Sequence, residues 1–118
     1  MKAKNSTIRW FEDLSSQDVA EVGGKNASLG EMIGTLQAGG IRVPGGFATT
    51  ADAYRRYLQE NDLAEKIESR LDDYRKGEKS LHKTGDSIRR MIRRGSWPDD
   101  LALDIRDAYR ELCRRSGE

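Results

Sequence analysis

The stretch Val22-Gly23-Gly24-Lys25-Asn26-Ala27-Ser28-Leu29-Gly30-Glu31-Met32 opens on bare backbone and closes on helical periodicity. Leu29, Met32, Ile33 and Leu36 recur at i, i+3, i+4 and i+7, which predicts a helix with Asn26 as its cap and Gly39 as its stop. Gly23, Gly24 and Lys25 are thereby delivered at a helix N-terminus. Unpaired amides there carry about half a positive charge, and a neighbouring ammonium adds a full one, so the site suits phosphate. It is not a Walker A loop, because Val19 stands where that loop needs its first glycine and Asn26 where it needs Ser or Thr. The residues alone favour a plain glycine-rich turn with Lys25 in solvent over a phosphate site.

Outward from that stretch, the chain has 118 residues and 13.3 kDa, which suits one small domain or a piece of a larger one. Charged residues make up 35%, while Leu, Ile, Val and Phe number only 22 of 118, a thin supply for a core. The expectation is a folded but marginal chain. A net charge of +1 argues against a wholesale electrostatic grip on nucleic acid or anionic lipid. Cys113, the one cysteine, makes no internal disulfide and no multi-cysteine zinc site. The polar start leads into no apolar signal region, and no run of 18 apolar residues follows. These features predict a soluble, cytoplasmic protein without a membrane partner.

Eight of the 12 glycines precede residue 50, and pairs recur at Gly23-Gly24, Gly39-Gly40 and Gly45-Gly46, so the front half should hold its tight loops. Ile8–Phe11 reads as an edge strand followed by a turn at Ser15–Asp18. Ile41–Val43 and Phe47–Thr49 read as two extended pieces around Pro44-Gly45-Gly46, with Thr50 capping the next helix. Tyr54, Tyr57 and Leu58 mark that helix, and Asp62 with Glu65 resembles the capping box of another carrying Leu63, Ile67, Leu71 and Tyr74. Leu81, Ile88, Met91 and Ile92 give a further face ending at Gly95. Pro98 opens the last helix, with Leu101, Ile105, Ala108, Tyr109 and Leu112 on its face. The fold class expected is α+β, predominantly helical, with about five helices and a few short strands.

A second chemical feature is Ile88-Arg89-Arg90-Met91-Ile92-Arg93-Arg94. On a helical wheel Arg90 and Arg94 fall opposite the apolar stripe, which predicts a solvated face paired with acids such as Asp86. Arg89 and Arg93 flank the stripe, and a guanidinium beside the core is shaped to clamp a phosphate in bidentate fashion. His82 has no partner at metal spacing and reads as a surface residue. Asp72-Asp73 and Asp99-Asp100 are adjacent, so their side chains diverge on a helix and form no paired-carboxylate site. Trp10 and Trp97 read as packing anchors, and no catalytic or metal-ligating set emerges.

Trp10-Phe11, then Val22 to Met32, then Val43-Pro44-Gly45-Gly46-Phe47-Ala48-Thr49-Thr50-Ala51-Asp52-Ala53-Tyr54, in that order, resemble the N-terminal end of the phosphoenolpyruvate synthase (pyruvate, water dikinase) family. The likeness runs from about Trp10 through the last helix, and Ile88-Arg89-Arg90-Met91-Ile92 falls where the family has a helix bearing an Ile-Arg pair. The resemblance implies residues 8–118 as the first part of an ATP-grasp-type, pyruvate phosphate dikinase-like ATP-binding domain, behind a flexible N-terminus at 1–7. It implies Lys25 and Arg89 on the ATP phosphates, with Gly23 and Gly24 facing them more weakly.

It further implies magnesium held by residues outside this stretch. The partners would be the rest of the ATP-grasp domain, a phosphohistidine domain and a pyruvate-binding domain. His82 does not match the family's phosphohistidine. On that reading the chain alone, truncated before the rest of the fold, has no dikinase turnover of its own. A related dikinase or antibiotic phosphotransferase shares the same opening. Another class of protein, a non-catalytic helical interaction module using the Arg89–Arg94 cluster, is the alternative.

Overall fold

The computed structural model describes residues 7–117. The segment read as a flexible N-terminus therefore lies outside the described residues except for Thr7, which is buried and whose carbonyl accepts from the Thr50 amide at 3.0 Å. The chain divides into two compact units, one of residues 1–54 with 99–118 and one of residues 55–98.

In the first unit β1 (Ile8–Trp10) pairs antiparallel with β2 (Phe47–Thr49), Ile8 opposite Thr49 and Trp10 opposite Phe47. The Trp10 and Phe47 rings meet edge to face at 5.5 Å, a cross-strand aromatic pair worth about 1 kcal/mol beyond its burial. A 3-10 turn at Phe11–Asp13 and a second at Ser16–Asp18 follow β1. Ser15 and Asp18 form a capping box there, the Asp18 carboxylate accepting from the Ser15 amide at 2.9 Å. Then come α1 (Val19–Val22) and α2 (Gly24–Ala38). The single turn α1 is why the described residues hold six α-helices rather than five.

Helix α2 corrects the sequence reading at its start and on its face, while Gly39 ends it as expected. It starts two residues before Asn26, which caps nothing and instead donates from Nδ2 to the Val22 carbonyl at 2.8 Å. Its buried residues are Ala27, Gly30 and Ile33, whereas Leu29 and Met32 are 40% and 49% exposed. Close backbone approach decides this. A Cβ at Gly30 would stand 2.8 Å from the Leu14 carbonyl oxygen and 2.9 Å from that of Phe11, so only glycine fits there beneath the first 3-10 turn. Leu14, Val22, Ala27 and Ala48, with Phe11 against them, form the core of this unit.

At the other end Gly39 is the C-cap and Gly40 takes the left-handed conformation, φ 81°. The Ile41 amide returns to Leu36 O and the Gly40 amide to Gln37 O, a Schellman motif. With its amide spent on the helix end, Ile41–Val43 forms no strand, and the extended piece expected there is absent. The Thr50 hydroxyl accepts from the Ala53 amide at 3.2 Å, capping α3 (Ala51–Glu60) as expected. Helix α6 (Asp99–Ser116) carries Asp99 and Asp100 in its first turn and Arg114 and Arg115 in its last, both favoured by the helix dipole. Leu101 and Ala108 are buried, while Tyr109, expected inward, is exposed.

The second unit begins within α3 and contains α4 (Leu63–Arg75) and α5 (Leu81–Arg94), which pack on each other. Asp62 does not make the expected capping box: it is held left-handed at φ 53° and its side chain caps no amide. Ser80 does cap, accepting from the Lys83 amide at 3.1 Å. Tyr57 Oη donates to the Ile92 carbonyl at 2.7 Å near the end of α5, and Asn61 exchanges two hydrogen bonds with the Ser96 backbone. Trp97 leans on Tyr57 with ring centroids 5.1 Å apart yet is 58% exposed, so it anchors on one face only. Thr84 is the buried residue of α5, whereas Leu81, expected on its inner face, is exposed.

Candidate functional site

Lys25 lies in the first unit. Gly23, at φ 86° and ψ 163°, breaks the chain between α1 and α2 in a conformation essentially reserved for glycine. Its amide bonds Val19 O and its carbonyl receives the first α2 hydrogen bond, from Ala27 at 3.1 Å. The amides of Gly24, Lys25 and Asn26 precede that bond and form the open first turn. Gly23, Gly24 and Lys25 are exposed, and a Cβ at either glycine would meet no heavy atom within 4 Å.

Arg89 lies in the second unit, on α5. Its Nη2 donates to Asp86 Oδ1, one turn back, and its guanidinium folds over Gly85, where a Cβ would come 3.0 Å from Nη1. The side chain is 56% exposed, so it does not sit beside the core as the wheel suggested. Arg89 holds the Asp86 carboxyl below its usual range, with His82 Nε2 at 3.3 Å adding to the effect. The acid expected to neutralise Arg90 and Arg94 is therefore engaged by Arg89. Arg90 and Arg94 instead line a cavity of about 410 Å³ with Arg70 and Lys83, a set whose α4 member no local motif announced.

A second cavity, about 420 Å³, lies in the first unit between Trp10, Ile33, the Pro44–Gly46 loop, Leu112 and Arg115. Lys25 does not line it. Among the described residues no group of three or more His, Cys, Asp and Glu comes together as metal ligands, and no helix is long and apolar enough to cross a membrane. His82 is exposed and Cys113 half-buried, each far from any nucleophilic partner set.

The family model for the pyruvate phosphate dikinase AMP/ATP-binding domain matches residues 19–118, and the chain belongs to that family. Phosphoenolpyruvate synthase of Neisseria meningitidis serogroup B is 45% identical over 113 residues, covering 93% of this chain and 14% of that protein. The enzyme of the same name from Synechocystis sp. is 40% identical over 116 residues, 98% of this chain and 14% of its own length. That of Escherichia coli K12 is 42% identical over 106 residues, 89% of this chain and 13% of its own. The chain thus spans 13–14% of the length of these relatives.

Proposed function

We propose that the chain is the ATP-binding front portion of a phosphoenolpyruvate synthase-like enzyme, which converts ATP, pyruvate and water into AMP, phosphoenolpyruvate and phosphate. In this reading it opens an ATP-grasp-type domain in the cytoplasm. Lys25 and Arg89 bind the ATP phosphates, and the Gly23-Gly24 backbone faces them. The observation that carries the reading is the Gly23 break: it sets the Gly24, Lys25 and Asn26 amides ahead of the first hydrogen bond of a 15-residue helix, with Gly23, Gly24 and Lys25 exposed. Both residues fall within the stretch matched by the nucleotide-binding family. Phosphoryl transfer is mostly positioning and electrostatics, so two cations on a triphosphate are a sufficient role for this portion.

Arg89 would exchange the Asp86 carboxylate for a phosphate, whose greater charge favours the trade. Magnesium when bound supplies further charge neutralisation. The described residues bring together no ligand set for it, and its ligands, like the phosphohistidine and the pyruvate site, are assigned to the remainder of the longer protein. The related dikinases and antibiotic phosphotransferases share this opening, and the acceptor is read from the names of the relatives alone. Exposed Leu81, Trp97 and Tyr109 favour faces covered by further protein, in keeping with either a larger enzyme or an interaction module.

The test is ATP affinity in the full-length parent carrying Lys25→Ala or Arg89→Ala. Each is expected to weaken ATP about tenfold while leaving the fold intact, because each removes one charge-assisted contact. Unchanged affinity in both overturns the assignment. The 118-residue chain alone is expected to gain thermal stability with ATP and magnesium but to form no AMP from ATP and pyruvate.

A further inference from the structure

We propose that the groove between α4 and α5 is a binding site for a compact polyphosphate anion, distinct from the residues assigned to ATP. Lys83, Ser87, Arg90 and Arg94 stand at i, i+4, i+7 and i+11 of α5, within about 40° of one line along the helix. Arg70 of α4 faces them, and the five line one cavity of about 410 Å³. A neighbouring recess of about 320 Å³, shared by Arg70, Lys83 and Ser87, adds Lys79 and one carboxylate, Asp73.

In the larger cavity four cations meet one carboxylate, Asp86, in a chain whose net charge is only +1. Asp86 is engaged by Arg89 and His82. Lys83, Arg90 and Arg94 have no ion-pair partner among the described residues. Arg70 Nε donates to Ser87 Oγ at 3.0 Å. That bond fixes the guanidinium over the groove and uses an acceptor lone pair of Ser87, so the hydroxyl proton remains to be donated. Forked guanidinium donors, an ammonium and a hydroxyl around a concavity match phosphate oxygens.

The lining also discriminates between phosphate-bearing ligands. No aromatic side chain lines the groove, so bases of a single-stranded nucleic acid would find no stacking platform. A duplex displays its phosphates on a convex surface too broad for a concavity of this size. A short chain of linked phosphates fits both the charge and the space.

Calorimetric titration of the intact chain with inorganic tripolyphosphate at low salt, without magnesium, tests the proposal. Two sites are expected, one in the groove and one at the glycine-lysine turn already assigned to the ATP phosphates, so the groove variants are compared in a Lys25→Ala background, where one site remains. The double variant Arg90→Ala/Arg94→Ala should lose at least about tenfold in affinity, while Arg90→Lys/Arg94→Lys retains most of it. In that background Asp86→Asn should bind severalfold tighter, a gain that a merely structural role would not produce. Unaltered binding in the double alanine variant overturns the proposal. So does loss of all tripolyphosphate binding in Lys25→Ala, which would put the anion at the glycine-lysine turn alone, and so does a single-stranded oligonucleotide that binds more tightly than tripolyphosphate. Because Arg90 and Arg94 are exposed, their removal should leave the helical circular dichroism unchanged.

Discussion

The Arg115 guanidinium lies 4.0 Å over the Trp10 ring, and its Nη1 donates to Glu12 Oε1 at 2.8 Å. One residue in the last turn of α6 thereby clasps β1 and the turn behind it, 103 positions away from its carboxylate partner. The clasp is solvent-exposed, so Arg115→Ala should cost less than about 1 kcal/mol, the range of an exposed ion pair with a cation–π contact. Its sharper signature is optical. Trp10 emission should shift in the variant, and high salt should weaken the effect by screening the Glu12 pair. A Trp97→Phe background isolates the Trp10 signal.

Gly23 and Gly24 should respond oppositely to alanine. At Gly23 the positive φ is unavailable to an L side chain without strain, so Gly23→Ala should destabilise by about 1–3 kcal/mol. Gly24 is the first residue of α2 and a Cβ there meets open space, so Gly24→Ala should leave the melting temperature unchanged or raise it. If phosphate approaches those amides, Gly24→Ala weakens ATP without weakening the fold. Chemical denaturation and ATP titration of both variants separate the two effects.

Gly85 sits inside α5 directly beneath the Arg89 guanidinium. Gly85→Ala should stabilise the helix by about 0.5–1 kcal/mol, because the clash falls on the far end of a flexible side chain that swings away. The same swing loosens Arg89 from Asp86. The Asp86 carboxyl, held down first by that hydrogen bond, should titrate closer to its ordinary value of 3.8 in the variant. Carboxyl-carbon NMR across an acid titration measures the shift.

Glu111 accepts hydrogen bonds from Arg114 and Arg115, in that order of effect, and its carboxyl is lowered from 4.5 to about 2. A depressed carboxyl binds its proton more readily in the unfolded chain than in the folded one. Its contribution to stability is therefore complete above pH 4.5 and is lost as pH falls through about 2. Glu111→Gln should remove that acid sensitivity from the end of α6. A Glu111 midpoint near 4.5 in the parent chain would refute the predicted pairing.

Helix positions were largely legible in the residues because their signals are local. Thr50 meets an amide three residues on, Gly39 and Gly40 end α2, and Pro98 stands immediately before α6. The glycine-lysine opening was legible for the same reason, although its cap was misread. Asn26 was expected to hold the first turn, yet Gly23 makes the break and Asn26 bonds backward to Val22.

Which face of each helix turned inward was not legible, because periodicity counts large apolar side chains whereas packing on α2 is set by backbone proximity. Leu29 and Met32 are displaced outward by the carbonyls of Phe11 and Leu14 pressing on Gly30. The sharing of Asp86 was not legible either: Arg89 takes its hydrogen bond, Arg90 acts on its charge, and Arg90 and Arg94 line a groove with Arg70 of α4. Residue order therefore carried the helices, the ends at Thr50, Gly39 and Pro98, and the family, since each is encoded within a few neighbouring positions. Burial and the sharing of carboxylates depend on groups distant in the chain, and only the folded arrangement selected among them.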